Sequence, residues 1–202
     1  RALAIPPQLQ TSGPQPPGQD SYAVNMQVAM ANIIQGRQTP VWTYNGSYPG
    51  PTIRARAGRQ VNVRFTNNLS ESMSVHLHGG RTAPTSDGHP NDLITQGNFK
   101  DYTYPNNQLP APLWYHDHAV DVTGPHLYMG LAGFYIMSDT AEDNLNLPGP
   151  GPNGPFEFDV PLLVQDRMFN HNGTLSYPLT EDALIEHCRE SLTGYKVPKR
   201  VY

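Results

Sequence analysis

Two short histidine motifs are the residues of this chain best suited to chemistry: His76-Leu77-His78 and His116-Asp117-His118. In a β-strand, residues i and i+2 face the same side, roughly 6.5–7 Å apart from the rise per residue. Two imidazoles so placed do not easily share one ion, but they can ligate two ions a few ångströms apart. A second His-x-His strand beside the first would bring four imidazoles to one metal cluster. Neutral imidazole suits copper, zinc, iron and nickel. A single exposed His-x-His on a strand is common. Two of them, about forty residues apart and both in strand-like context, point to metal binding. The middle residues Leu77 and Asp117 face the other way, which makes Asp117 a structural group behind the ligands.

The remaining histidines do not share the pattern. His89 and His171 sit in Gly/Asn-rich loops and read as solvated. His126 follows Gly124-Pro125 and could lie near the site, but it reads as a structural histidine rather than a ligand. His187 adjoins Cys188, the single cysteine, but no second histidine follows closely enough for a copper-thiolate centre. One cysteine also means no internal disulfide, so cysteine usage does not identify the compartment.

The elements that must position the histidines are strands. Twenty-one prolines and 18 glycines among 202 residues cut the chain into short segments, which favours an all-β sandwich or barrel. Strands are expected at 22–30, 41–44, 52–57, 60–68, 73–78, 99–105, 112–118 and 131–137, with a further one at 158–166. The clearest is Gln60–Asn68, where Val61, Val63 and Phe65 share one face. Residues 6–20, rich in Pro, Gln, Gly and Ser, read as an extended arm, and a Gly/Pro/Ser/Asp-rich loop spans 79–97. From Thr180 to Arg189 the pattern changes to that of a capped helix, with Leu184, Ile185 and Cys188 on one face.

Bulk properties exclude some classes. Charged residues are only 15 % and hydrophobic ones 37 %, unlike a disordered chain. A formal net charge of −4 gives no reason to expect nucleic acid, and no apolar run is long enough to span a membrane. The opening residues are too short and too broken by proline for a signal peptide, though they suit a mature N-terminus left by cleavage.

The stretch from Tyr44 to Asp166 resembles the first cupredoxin domain of a three-domain multicopper oxidase. The residues that carry the likeness are Asn45-Gly46-Ser47-Tyr48-Pro49-Gly50-Pro51-Thr52-Ile53, Val75-His76-Leu77-His78-Gly79-Gly80, Trp114-Tyr115-His116-Asp117-His118-Ala119 and Gly130-Leu131-Ala132-Gly133-Phe134-Tyr135. Within that family the likeness extends to bilirubin oxidases, spore-coat laccases and phenoxazinone synthase. The resemblance implies a cupredoxin-like Greek-key sandwich or barrel over residues 21–178. It implies copper, with His76 as ligand of a type 2 ion, His78 and His116 as ligands of one type 3 ion and His118 of the other. It implies that Asp87 delivers protons during dioxygen reduction. From the residues alone, Asp87 before Gly88 reads equally as a turn former.

In that family the remaining cluster ligands and the electron-entry copper, with its His-Cys-His signature, come from the third domain. The 202 residues hold no such segment. The expectation is therefore a copper-dependent oxidoreductase acting on dioxygen and a small aromatic reductant, its cluster completed by a homo-oligomer or a second chain. The alternative is a copper-binding cupredoxin without turnover. A secreted or periplasmic setting is expected, with the cytoplasm left open. Residues 179–201 resemble a short piece of the C-terminal subdomain of bacterial fatty acyl-CoA ligases. The segment with that family's catalytic lysine is absent, so no ligase activity is expected.

Overall fold

Alternating apolar residues and frequent turns build two four-stranded sheets in the computed structural model, which describes residues 5–149 and 158–178 together with Ile185, Cys188 and Arg189. The strands are β1 (Gln19–Ala31), β2 (Thr39–Tyr44), β3 (Gly50–Arg56), β4 (Gln60–Asn67), β5 (Val75–His78), β6 (Phe99–Tyr104), β7 (Pro112–Asp117) and β8 (Ala132–Ser138). One sheet has the order β2-β1-β4-β6, the other β3-β8-β7-β5. Strand β1 pairs in parallel with β4, and β3 in parallel with β8; the other neighbours within these two sheets are antiparallel. The eight strands expected first are all present, within a few residues at their ends.

The core lies where the inward faces meet. Val61, Val63 and Phe65 of β4 are fully buried while Arg64 between them is exposed, as the period of two requires. Aromatic rings fill much of the space. Phe65 meets Tyr44 and Tyr102 edge-on at 5.8 and 5.6 Å, and Tyr104 meets Tyr135 at 5.8 Å. Several hydroxyls find partners in this apolar setting. Tyr115 donates to the Pro51 carbonyl at 2.6 Å and Tyr135 to Asn106 Oδ1 at 2.8 Å. Tyr102 Oη accepts from the Val75 amide at 3.2 Å, so β6 helps to hold the strand that carries the first histidine pair. Burial pushes the Tyr102 phenol up to about 12.

Some features depart from the expectations. Residues 158–166 form no strand. Pro161 lacks an amide proton for a ladder, and Phe158, Leu162 and Val164 are 62, 61 and 94 % exposed, without the alternation a half-buried strand shows. A small hairpin instead joins β9 (Met168–Phe169) to β10 (Leu175–Ser176). Two helices were not expected. Helix α1 (Thr123–Met129) contains the Gly124-Pro125 pair in its first turn. Proline in a first helical turn forfeits only an amide that has no helical partner anyway. Helix α2 (Thr140–Asp143) is capped by Asp139, whose side chain accepts from the Glu142 amide. Of the arm, residues 7–9 are tied to β3. Leu9 N donates to Thr52 O and Thr52 N to Pro7 O, each at 2.8 Å. The helix expected over 180–189 lies outside the described residues except for Ile185, Cys188 and Arg189.

Candidate metal centre

Strands β5 and β7 are antiparallel neighbours, and their register places His76 directly opposite His116 and His78 opposite Trp114. That one pairing brings both histidine motifs together. The ring centroids of His76 lie 5.7 Å from His78, 5.5 Å from His116 and 5.3 Å from His118. His116 lies 5.5 Å from His78 and 5.7 Å from His118. One ligating nitrogen from each of His76, His78 and His116 falls within 4.8 Å of the other two. His118 sits one residue beyond the end of β7, so no strand ladder fixes it. Its amide donates to Ser74 O at 2.6 Å instead.

Hydrogen bonds on the far side of two rings decide which nitrogen is free. His116 Nδ1 lies 2.7 Å from the Asp117 carbonyl oxygen, and His76 Nδ1 lies 2.5 Å from the Asp87 carbonyl oxygen. A carbonyl can only accept, so in both rings Nδ1 carries the proton and Nε2 keeps its lone pair. His78 Nδ1 stands 3.3 Å from His116 Nε2. Two nitrogens each about 2.0–2.1 Å from one tetrahedral ion would lie about 3.3 Å apart. The donor set is thus all-imidazole, which suits copper, zinc, iron or nickel. His118 Nδ1 is buried and has no hydrogen-bond partner, a nitrogen open to a ligand role.

The indole of Trp114 walls the group, stacked at 4.1 Å on His116 and 5.0 Å on His78. His116 is only 4 % exposed. Burial, with the neighbouring imidazoles adding to it, lowers its pKa from 6.5 to about 4, so it is neutral and available at physiological pH. The consequence for stability has a definite sign. A histidine whose folded pKa is depressed contributes stability above its unfolded pKa of about 6.5 and loses it as pH falls toward about 4. Metal-free protein is expected to weaken across that window in urea melts, and His116→Gln to flatten the slope there. An unchanged slope would show that His116 does not titrate as its burial requires.

Asp87 follows a short 3-10 turn at Pro84–Ser86. Its carboxylate is half exposed and lies 3.5 Å from His76 Nδ1, and Thr82 Oγ1 donates to it at 3.3 Å. Gly88 makes this approach possible. It has φ +73°, and a Cβ there would lie 2.1 Å from Val75 O and 2.6 Å from His76 N. Asp117 points away from the rings and is fully buried, in keeping with a structural role. His89 and His171 are exposed, as expected. His126 is buried on α1 and donates from Nδ1 to Asp117 at 2.8 Å. Sequence reasoning kept it out of the ligand set but offered no partner for it, because helix α1 was not foreseen. An open groove of about 610 Å³, lined by Met30, Val41, Tyr48, Leu163 and Arg167 among others, contains none of the four histidines.

Comparison with known proteins bears on the same segment. The sequence model of the multicopper oxidase family matches residues 25–142, which include all four histidines. The chain is 45 % identical over 132 residues to a bilirubin oxidase of Albifimbria verrucaria, covering 65 % of this chain and 22 % of that protein. It is 40 % identical over 170 residues to a laccase of Bacillus subtilis (strain 168), covering 69 % and 32 %. The fold superposes on a crystal structure of laccase from Pediococcus acidilactici with a TM-score of 0.78 at 30 % identity, covering 88 % of this chain and 37 % of that one. These likenesses establish the cupredoxin-like architecture. They lend no support to the acyl-CoA ligase resemblance of residues 179–201, most of which lie outside the described residues. The chain spans between about a fifth and two fifths of the proteins it matches here. With the His-x-His pairs joined in one sheet and the family match running through both, the chain belongs to the multicopper oxidase family.

Proposed function

We propose that this chain supplies half of the dioxygen-reducing copper cluster of a laccase- or bilirubin-oxidase-type oxidoreductase, which couples oxidation of phenolic or related substrates to reduction of dioxygen. The observation that carries this reading is the 3.3 Å separation of His78 Nδ1 and His116 Nε2 within a group of four histidines. His78 and His116 would hold one type 3 copper, His118 the other and His76 the type 2 copper. Bound copper supplies the one-electron chemistry for reducing dioxygen. The residues of this chain do the rest. The carbonyls of Asp87 and Asp117 hold the rings of His76 and His116 in the tautomer that presents Nε2. Trp114 covers the His78 and His116 rings on one side.

Reducing one dioxygen to two waters takes four electrons and four protons. Asp87 would relay the protons. Its carboxylate meets solvent and lies beside the His76 ring, which supports that role.

The remaining cluster ligands are histidines beyond these four; a second copy or a partner chain is one source of them. Strand β5 is the edge of its sheet and His78 is exposed, which leaves the histidines approachable from that side. The metal-holding unit runs over residues 21–178, between the arm at 1–20 and the tail at 179–202. A secreted or periplasmic setting suits this reading. Among the described residues no helix is long and apolar enough to cross a membrane.

The test loads the purified chain with copper and measures metal content, EPR, mass by light scattering, and oxygen uptake with a methoxyphenol. Bound copper with oxygen uptake confined to an assembled species is expected. Failure to bind copper would sink the proposal. Copper bound without turnover in any assembly would favour the second reading, a copper-binding domain that does no oxidation unaided.

A further inference from the structure

The second histidine pair owes its position to a buried group that the metal never touches. Asp117 is fully buried, and no lysine or arginine pairs with it in the structure described. Three N–H donors meet its charge. Oδ1 accepts from the Ser74 amide at 2.8 Å; Oδ2 accepts from the Ala119 amide at 3.1 Å and from His126 Nδ1 at 2.8 Å. The two amides come from the places that matter for the ligands. Ser74 stands just before β5, two residues from His76, and Ala119 directly follows His118. One carboxylate thus ties the entry of the first histidine strand to the exit of the second. It does so where the ladder has ended, since Val75 opposite Asp117 is the last pair of β5 and β7.

The third donor comes from a different element. His126 is 4 % exposed on α1, its ring 4.9 Å from Trp42 of β2. Its carbonyl accepts from the Gly130 and Leu131 amides at 3.2 Å, which closes the helix onto the start of β8. The backbone that carries the imidazole is therefore fixed independently of Asp117. Without the imidazole, Oδ2 keeps only the longer bond from Ala119, and a buried carboxylate short of donors turns to find another partner. That turn loosens the Ala119 anchor and lets His118 shift relative to His116.

We infer that His126 is a positioning residue for the copper centre, acting through Asp117 to set the place of His118. This rests on the copper reading above. The experiment uses the full chain and Cu(II) as probe, reading affinity by competition with a chelator, the EPR hyperfine pattern, and the melting temperature of the metal-free protein. His126→Phe keeps the ring volume and removes the donor. Its copper affinity is expected to fall by up to about 10-fold, the low end of the loss seen when a ligand's direct partner is removed, because His126 acts one bond further away, with an altered hyperfine pattern. His126→Asn keeps a donor close to the Nδ1 position and is expected to restore most of the affinity. Val61→Ala, in the opposite sheet, serves as a control that lowers stability alone.

A His126→Phe protein that is folded and binds copper like the parent overturns the inference. So does a Val61→Ala protein that loses affinity to the same degree. If His126→Phe does not fold, His126→Asn is compared with His126→Gln, whose amide is displaced by one methylene. Equal affinity in those two also overturns it. A parent that binds no copper defeats the copper reading itself, whereas a copper-binding parent with indifferent variants defeats this inference alone.

Discussion

Replacing His116 by alanine is expected to abolish most copper binding, lowering affinity by about 100-fold or more, beyond the 10- to 100-fold typical of losing a ligand's partner. His116 is the best connected of the four rings. It contacts His76, His78 and His118 and stacks on Trp114. Its Nε2 is one of the two nitrogens 3.3 Å apart, and its Nδ1 is already committed to a carbonyl. A desolvated ring in a single tautomer has little to reorganise when an ion arrives. His78→Ala is expected to lose less, because His78 is exposed and its ring has more freedom. Both variants are measured by chelator competition with Cu(II). Loss of affinity in His78→Ala but not in His116→Ala would refute the proposed pairing.

The second large effect falls on a glycine. Gly88→Ala is expected to destabilise the fold by about 2–4 kcal/mol, combining overpacking with the cost of a left-handed backbone. The new methyl would meet main-chain atoms of Val75 and His76 at 2.1 to 2.6 Å, and backbone in a paired strand cannot swing aside as a side-chain tip can. Relief requires the loop to lift, which carries the Asp87 carbonyl away from His76 Nδ1. The variant is therefore expected to lose copper affinity as well as stability. Gly58→Ala is the matched control. Its φ of +74° is nearly the same, but a Cβ there has nothing within 4 Å. Its cost should be the backbone term alone, about 1–2 kcal/mol. Urea denaturation midpoints separate the two, and equal losses would show that close approach at Gly88 is unimportant.

Much of this protein was legible in its sequence because strand periodicity is local. The run Gln60–Asn67 declares its buried face by alternation, and two His-x-His triplets declare theirs by the same rule. The family likeness added a Greek-key architecture and a metal. Where periodicity fails, so did the reading. Phe158–Asp166 has the apolar content of a strand, but Pro161 and consecutive exposed leucines leave it unpaired. Helix α1 has the opposite disguise, with a Gly-Pro pair inside its first turn.

By themselves, the residues determined that four imidazoles lie in strand-like segments and that Asp117 faces away from them. Spacing along a chain sets which side of a strand a group takes, and that is decided within a few bonds. Only the tertiary structure decided that β5 and β7 are neighbours with His76 opposite His116. It alone decided that Asp87 returns to the His76 ring over Gly88, and that His126 reaches Asp117 from a helix. Those are contacts between segments brought together by burial of the aromatic core. Register between strands, unlike facing within one, depends on everything the two sheets enclose.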